Sequence, residues 1–142
     1  MKSKGSAFRP IEKGHHAMAP ASAPAAAPWP TELRVIDDRH TLSVTFEDGA
    51  KFTLPAEYLR VESPSAEVQG HQPEEKITVP GKRQVRITQV EPVGNYAVRL
   101  IFDDGHGTGL YTWDLLYSYG VNQEQKFGAY LKALEAQGLS RG

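Results

Sequence analysis

Asp103, Asp104 and His106 stand in one short run, and carboxylates beside a histidine are the raw material of a metal site or an acid–base pair. The run has an earlier counterpart, Glu47-Asp48-Gly49-Ala50, in which the histidine is missing. The acids therefore belong to a turn that the chain uses twice, and only His106 is new. His71, after Gly70 in a loop, is the residue that could converge with it. His40 sits in another loop without a partner in sequence, and His15-His16 falls in a low-complexity tail. No His-Glu-x-x-His, phosphate loop, Gly-x-Gly-x-x-Gly or Gly-x-Ser-x-Gly is present. Nor is there any cysteine, which excludes disulfides, a thiolate nucleophile, thiolate zinc and cysteine-held iron–sulfur clusters.

The elements that must position these residues come as a repeat. Leu42-Ser-Val-Thr-Phe-Glu-Asp-Gly49 returns as Val98-Arg-Leu-Ile-Phe-Asp-Asp-Gly105, and Leu54-Pro-Ala-Glu-Tyr-Leu59 returns as Tyr111-Thr-Trp-Asp-Leu-Leu116. Each copy reads as strand, Asp-Gly turn, strand and short helix. Leu42, Val44 and Phe46 alternate with Ser43, Thr45 and Glu47, the period of a strand with one wet face. Gly49 and Gly105 supply the positive φ of a tight turn. Pro55 opens a first helix over 56–61, and a second is expected from a Ser63 cap with Pro64 at its first position. Residues 77–79 and 85–90 read as strands, and 91–95 as a connecting turn. Thr112 is placed to cap a helix over 113–119 that ends at Gly120, with Gly107 and Gly109 loosening the loop before it. Asn122 to Gln125 has capping-box spacing, and Phe127, Tyr130, Leu131 and Leu134 form an apolar helical stripe closed by Gly138. The fold class that follows is α+β: a mainly antiparallel sheet of two repeated hairpin-plus-helix units, with helices over one face and an amphipathic helix last.

At 142 residues and a formal net charge of −1, the chain suits one domain and lacks the basic face that nucleic acid requires. No apolar run is long enough to span a bilayer, so no membrane partner is expected, and the cysteine-free composition fits an expected cytoplasmic setting. Prolines break the alanines of residues 19–28, which reads as a disordered Ala/Pro tail over 1–30 rather than a secretory core. Order is expected from near Glu32, with the domain spanning 31–138 and a flexible end over 139–142. Lys82, Arg83, Arg86 and Arg99 could make a basic ridge, though a solvated sheet face accounts for them more simply. Tyr111, Trp113, Tyr117 and Tyr119 either fill a larger core or stay partly exposed as a partner surface.

Phe52-Thr-Leu-Pro-Ala-Glu-Tyr-Leu-Arg60, Ser63-Pro-Ser-Ala-Glu-Val68, Glu91-Pro-Val-Gly-Asn-Tyr96, Phe102-Asp-Asp-Gly-His106 and Tyr111-Thr-Trp-Asp-Leu-Leu116 together resemble the gamma-butyrobetaine hydroxylase-like N-terminal domain over roughly residues 32–137. The resemblance implies a small stand-alone bacterial protein of unknown function. In the eukaryotic hydroxylases the domain holds zinc through three cysteines and a histidine. Their Cys-Pro-Cys-x-x-Cys segment falls on Ser63, Ser65 and Val68, and their histidine on His106. This chain thus keeps the histidine and lacks the thiolates, so no cofactor is expected; zinc or iron at His106 would be of low occupancy. The oxygenase jelly-roll would follow the domain and is not in the sequence, so hydroxylase activity does not carry over. Relatives with the domain appended to iron–sulfur P-loop ATPases imply an accessory role in cluster assembly or delivery.

The expected function is therefore a non-catalytic interaction module whose partner is an iron–sulfur carrier ATPase or client. Its partner surface is assigned to His106, Thr108, Trp113, Tyr117 and Tyr119, where the second copy departs from the first. The alternatives are a zinc- or iron-binding domain using His106, and a small enzyme of unrecognised type.

Overall fold

The computed structural model describes residues 28–70 and 76–142. Its strands form two three-stranded antiparallel sheets rather than the single sheet expected. The first contains β1 (Pro30–Ile36), β2 (Thr41–Phe46) and β3 (Lys51–Pro55); the second contains β4 (Ile87–Val93), β5 (Ala97–Phe102) and β6 (Leu110–Thr112). Each sheet is a meander with its middle strand second in sequence. Helix α1 (Ala56–Val61) follows the first sheet and α3 (Trp113–Val121) the second, while α2 (Ala66–Gln69) is a single turn and α4 (Gln123–Ala136) comes last. The architecture is α+β and mainly antiparallel sheet.

The duplication runs further than the sequence reveals. Pro30, Leu33 and Val35 pair with Phe46, Val44 and Leu42, and Ile87, Val90 and Pro92 pair with Phe102, Leu100 and Val98 in the same register. Both ladders slip by one residue at the same place, at Thr31 and Thr88, and each threonine hydroxyl donates across the slip, to the Thr45 and Ile101 carbonyls. The turns also match. Gly49 N–H donates to Phe46 O and Gly105 N–H to Phe102 O, each glycine at φ 92°. So β4 is the second copy of β1. The expected strand over 85–90 begins two residues later and runs through the supposed turn to Val93. Pro92 is tolerated because β4 is an edge strand, where a missing N–H breaks no ladder bond.

Leu33, Leu42, Val44, Phe46 and Leu54 from the first sheet meet Ile87, Val98, Leu100, Phe102 and Tyr111 from the second in one apolar cluster. Tyr58, Leu59, Trp113, Leu116 and Tyr119 join it from the helices. The loop Asp37–Arg39, with all three residues at positive φ, ties the sheets together: the Arg39 carbonyl accepts from Ile87 N–H and its guanidinium donates to Thr88 O. A smaller cluster of Val61, Tyr130 and Leu134 seats α4.

Several local expectations change. Residues 77–79 form no strand; they run beside α2 and α4, with Ile77 N–H donating to Val68 O and the Tyr130 hydroxyl to Val79 O. Ser63 does not cap α2, which starts at Ala66 behind Ser65. Thr112 does cap α3, accepting from Leu115 N–H, but α3 continues past Gly120. That glycine is required by contact instead, since an added Cβ would lie 2.3 Å from Phe52 Cγ. Asn122 makes no capping box; its side chain donates back to Ser118 O. Leu131 leaves the apolar stripe and is exposed. Gly138, at φ 68°, ends α4, with Leu139 N–H reaching Leu134 O and Gly138 N–H reaching Glu135 O. β1 opens at Pro30, before Glu32, and Trp29 packs on the core. Residues 1–27 of the expected tail, and His71, lie outside the described residues. Residues 139–142, read from sequence as a loose end, run beside 81–83, and Arg141 grips buried Glu57 with two hydrogen bonds of 2.9 and 2.7 Å.

Candidate functional site

His106 is the first residue beyond the second turn. Its backbone is fixed there, because its N–H donates to Asp104 Oδ1 and its carbonyl accepts from Phe102 N–H. The imidazole, only 6% exposed, meets the segment between α1 and α2. Its Nε2 lies 2.9 Å from Ser63 Oγ and 3.3 Å from Ser65 Oγ. On its other side Nδ1 lies 3.2 Å from Glu67 Oε1, which also accepts from the Thr108 hydroxyl. Ser63 is completely buried and Ser65 nearly so. Gly109 makes the approach possible: a Cβ there would lie 2.5 Å from Ser63 Oγ.

The hydrogen-bond directions follow from chemistry. A carboxylate can only accept, so the nitrogen facing Glu67 carries the proton. Nε2 is then the acceptor, and the Ser63 hydroxyl donates to it. Ser65 N–H donates in turn to Ser63 Oγ, at 3.3 Å. The chain of donation runs Ser65, Ser63, His106; beyond it Glu67 stands as an electrostatic neighbour of Nδ1 and accepts from the Thr108 hydroxyl.

Charge surrounds this relay. Asp104 Oδ2 takes a 2.8 Å hydrogen bond from Arg60 Nε and lies 2.6 Å from Lys82 Nζ. Burial works against the Asp104 carboxylate, but Lys82, the His106 amide and Arg60 outweigh it and hold its pKa down at about 2. Burial first, then the Arg60 guanidinium, push the His106 imidazole below its ordinary value, opposed by Glu67 and Asp104. Arg60 Nη1 is buried and makes no hydrogen bond among the described residues.

The structure thus brings His106, Ser63, Ser65 and Thr108 together and buries Val68. Trp113 and Tyr119 fall elsewhere, at 5% and 4% exposure within the core, so their side chains present no surface. Trp113 Nε1 donates to Asn95 O and the Tyr119 hydroxyl to Glu62 O. Tyr117 belongs to the first turn, donating to Asp48 Oδ2. His40 lies against the Asp37 carbonyl of its own loop. Sequence reasoning does not bring Glu67 or Arg60 to the site, and it reads Lys82 only as part of a solvated basic ridge. The alternation Ser63, Ser65, Glu67 was the available signal for the first, and the turn acid Asp104 for the other two.

Two chemistries can be weighed. Ser63, His106 and Glu67 have the order of a nucleophile, base and orienting carboxylate. Ser63 nevertheless has no exposed surface, so no substrate carbon can approach its oxygen in this arrangement. For a metal, the donor set does not fit. Val68 has no donor, neutral serine hydroxyls are poor zinc ligands, and the Nε2 lone pair already faces a hydroxyl. Arg60 and Lys82 add positive charge beside it. Among the described residues, no three His, Asp or Glu side chains gather to hold an ion.

A duplicated antiparallel α+β unit with a histidine-centred polar end defines a small domain class, and comparison with known proteins places it. The family model described as gamma-butyrobetaine hydroxylase-like, N-terminal, matches residues 33–117, and the chain belongs to that family. Two NMR solution structures resemble it at 42% and 45% identity, each with TM-score 0.70, covering 82% and 88% of this chain and 91% of each of theirs. A crystal structure from Acidithiobacillus ferrooxidans ATCC 23270, of a protein of unknown function in the DUF971 family, is similar at 40% identity and TM-score 0.50, covering 61% of this chain and 86% of that one. No curated protein matches.

Proposed function

We propose that the chain is a non-catalytic interaction module, with a polar partner surface where the second hairpin meets the segment after α1. The burial of Ser63 carries this reading: the inner members of the relay are sealed, while Glu67, 66% exposed, and Thr108 face solvent. Polar groups held by a rigid hydrogen-bonded base suit recognition, because little side-chain freedom is lost on binding. Thr108, Glu67 and the rim of His106 form the surface, and Trp113 and Tyr119 support it from the core. No cofactor takes part. The partner class is an iron–sulfur carrier ATPase or one of its clients in the cytoplasm, with neither nucleic acid nor membrane involved.

Isothermal titration against a purified iron–sulfur carrier ATPase of the same host tests this. The double variant Thr108→Arg and Glu67→Gln keeps an acceptor for His106, and it should keep the wild-type melting temperature while losing binding. Equal binding by the variant would remove the surface assignment. No binding by the wild-type chain would remove the partner class.

A further inference from the structure

We propose that Ser63, Ser65 and His106 form a metal-free clasp, in which a serine hydroxyl occupies the histidine lone pair that a metal would need. Two observations support the clasp. One is the tautomer. The Glu67 carboxylate, 3.2 Å from Nδ1, favours the proton there, and Nε2 then turns a lone pair toward Ser63 at 2.9 Å and Ser65 at 3.3 Å. The other is the fit around the serine. Ser63 is wholly buried, receives Ser65 N–H, and sits against a glycine that leaves no room for a Cβ.

The clasp does mechanical work that a bound ion would otherwise do. It ties the segment after α1 to the second turn across 43 residues of sequence. Gln69 reinforces it, donating to the Ser63 and Glu62 carbonyls at 2.8 and 3.4 Å. The neighbouring ion pairs leave few donors for an ion. Arg60 and Lys82 both converge on Asp104, so that carboxylate is already engaged by two cations beside His106 and is not free to serve as a ligand.

The geometry also states what would reverse it. Ser63 and Ser65 both aim at Nε2, so thiolates in their places would converge with it on a single point. Two thiolates and an imidazole, with water in the fourth position, make a competent zinc site.

Nitrogen-15 NMR of the full chain tests the tautomer directly. The expected spectrum has His106 protonated at Nδ1 and unprotonated at Nε2, with neither resonance moved by equimolar zinc or by a chelator. A metal-shifted Nε2, or a proton on Nε2, would overturn the clasp. The second arm uses Ser63→Cys with Ser65→Cys, reduced and in the full chain. This variant should take up one zinc per chain, raising its melting temperature in a chelator-reversible way that His106→Ala abolishes. If the variant folds by circular dichroism but binds no more zinc than wild type, the proposed convergence on Nε2 is wrong. If it fails to fold, the NMR result on the wild-type chain decides alone.

Discussion

The two turns of this molecule have the same backbone and opposite interiors. At the first, Phe46, Phe52 and Tyr117 meet edge to face, with centroids 4.9 to 6.0 Å apart, and the Tyr117 hydroxyl donates to Asp48 Oδ2 at 2.8 Å. At the second, Arg60 stands in the place of Tyr117 and donates to Asp104 Oδ2, also at 2.8 Å. Gly109 stands in the place of Phe52, and His106 in that of Ala50. The contacts are reciprocal. The helix of each copy reaches the turn of the other, and Phe52 presses on Gly120 as Gly109 admits Ser63. Reciprocity of that kind is the mark of a two-fold interface, here within one chain. One scaffold thus supports an aromatic cluster at one end and a buried relay at the other, through exchanges at four equivalent pairs of positions.

The largest test of this comparison lies in the shared core. Phe46→Ala and Phe102→Ala each remove a ring at 1% exposure, and each should cost about 3–5 kcal/mol in denaturant unfolding. A loss at Phe102 below roughly 1 kcal/mol would break the equivalence of the two ends. Next comes Asp104→Ala, which leaves Arg60 and Lys82 close together without their shared acceptor. About 1–3 kcal/mol is expected, the scale for stranding charged hydrogen-bond donors that stay partly hydrated. The matching change, Asp48→Ala, disturbs an exposed contact and should cost clearly less in the same assay.

The glycines sharpen the contrast further. Gly120→Ala drives a methyl into the Phe52 ring and should destabilise by about 1–3 kcal/mol. Gly109→Ala meets the Ser63 hydroxyl and Pro64 Cδ, at 2.5 and 3.1 Å. It should cost a similar amount and also displace the His106 resonances, which Gly120→Ala should leave in place.

The smallest effect is on pH dependence. His106 is held below its ordinary value of 6.5, so between that value and its folded pKa the unfolded chain binds more protons. Stability from this group is complete above 6.5 and declines as the pH falls toward the folded pKa. Asp104, lowered from 3.8 to about 2, adds a second decline across that lower window. The unfolding midpoint should therefore drop between pH 7 and pH 5 in the wild-type chain, and drop less in His106→Asn. A midpoint that rises on acidification would contradict the placement of the imidazole.

Sequence patterns revealed what depends on neighbours in the chain. Period-two alternation gave β2 and β5, Asp-Gly gave both turns, and Thr112 and Gly138 marked helix ends through backbone requirements of their own. The copy of β1 stayed hidden because Pro92 stands in the place of Val35 and reads as a turn residue; only an edge position makes it permissible. Gly120 reads as a helix stop because a glycine needed for contact looks the same as one needed for φ. In the site, His106 was visible as the residue added to a repeated turn. Glu67 and Arg60 were not, since their roles depend on partners 39 and 44 positions away. The exposure of Trp113 and Tyr119 was likewise open, because aromatic residues serve cores and interfaces alike.

The exchange of helices between the two copies has a consequence for how the molecule opens. The Asp48 turn is held by Tyr117 from 69 residues away and the Asp104 turn by Arg60 from 44. Neither half keeps its own turn covered, so loosening one strips the other. Amide exchange should then reach a common ceiling in β2 and β5, because the deepest protons of both sheets escape only when the whole domain opens.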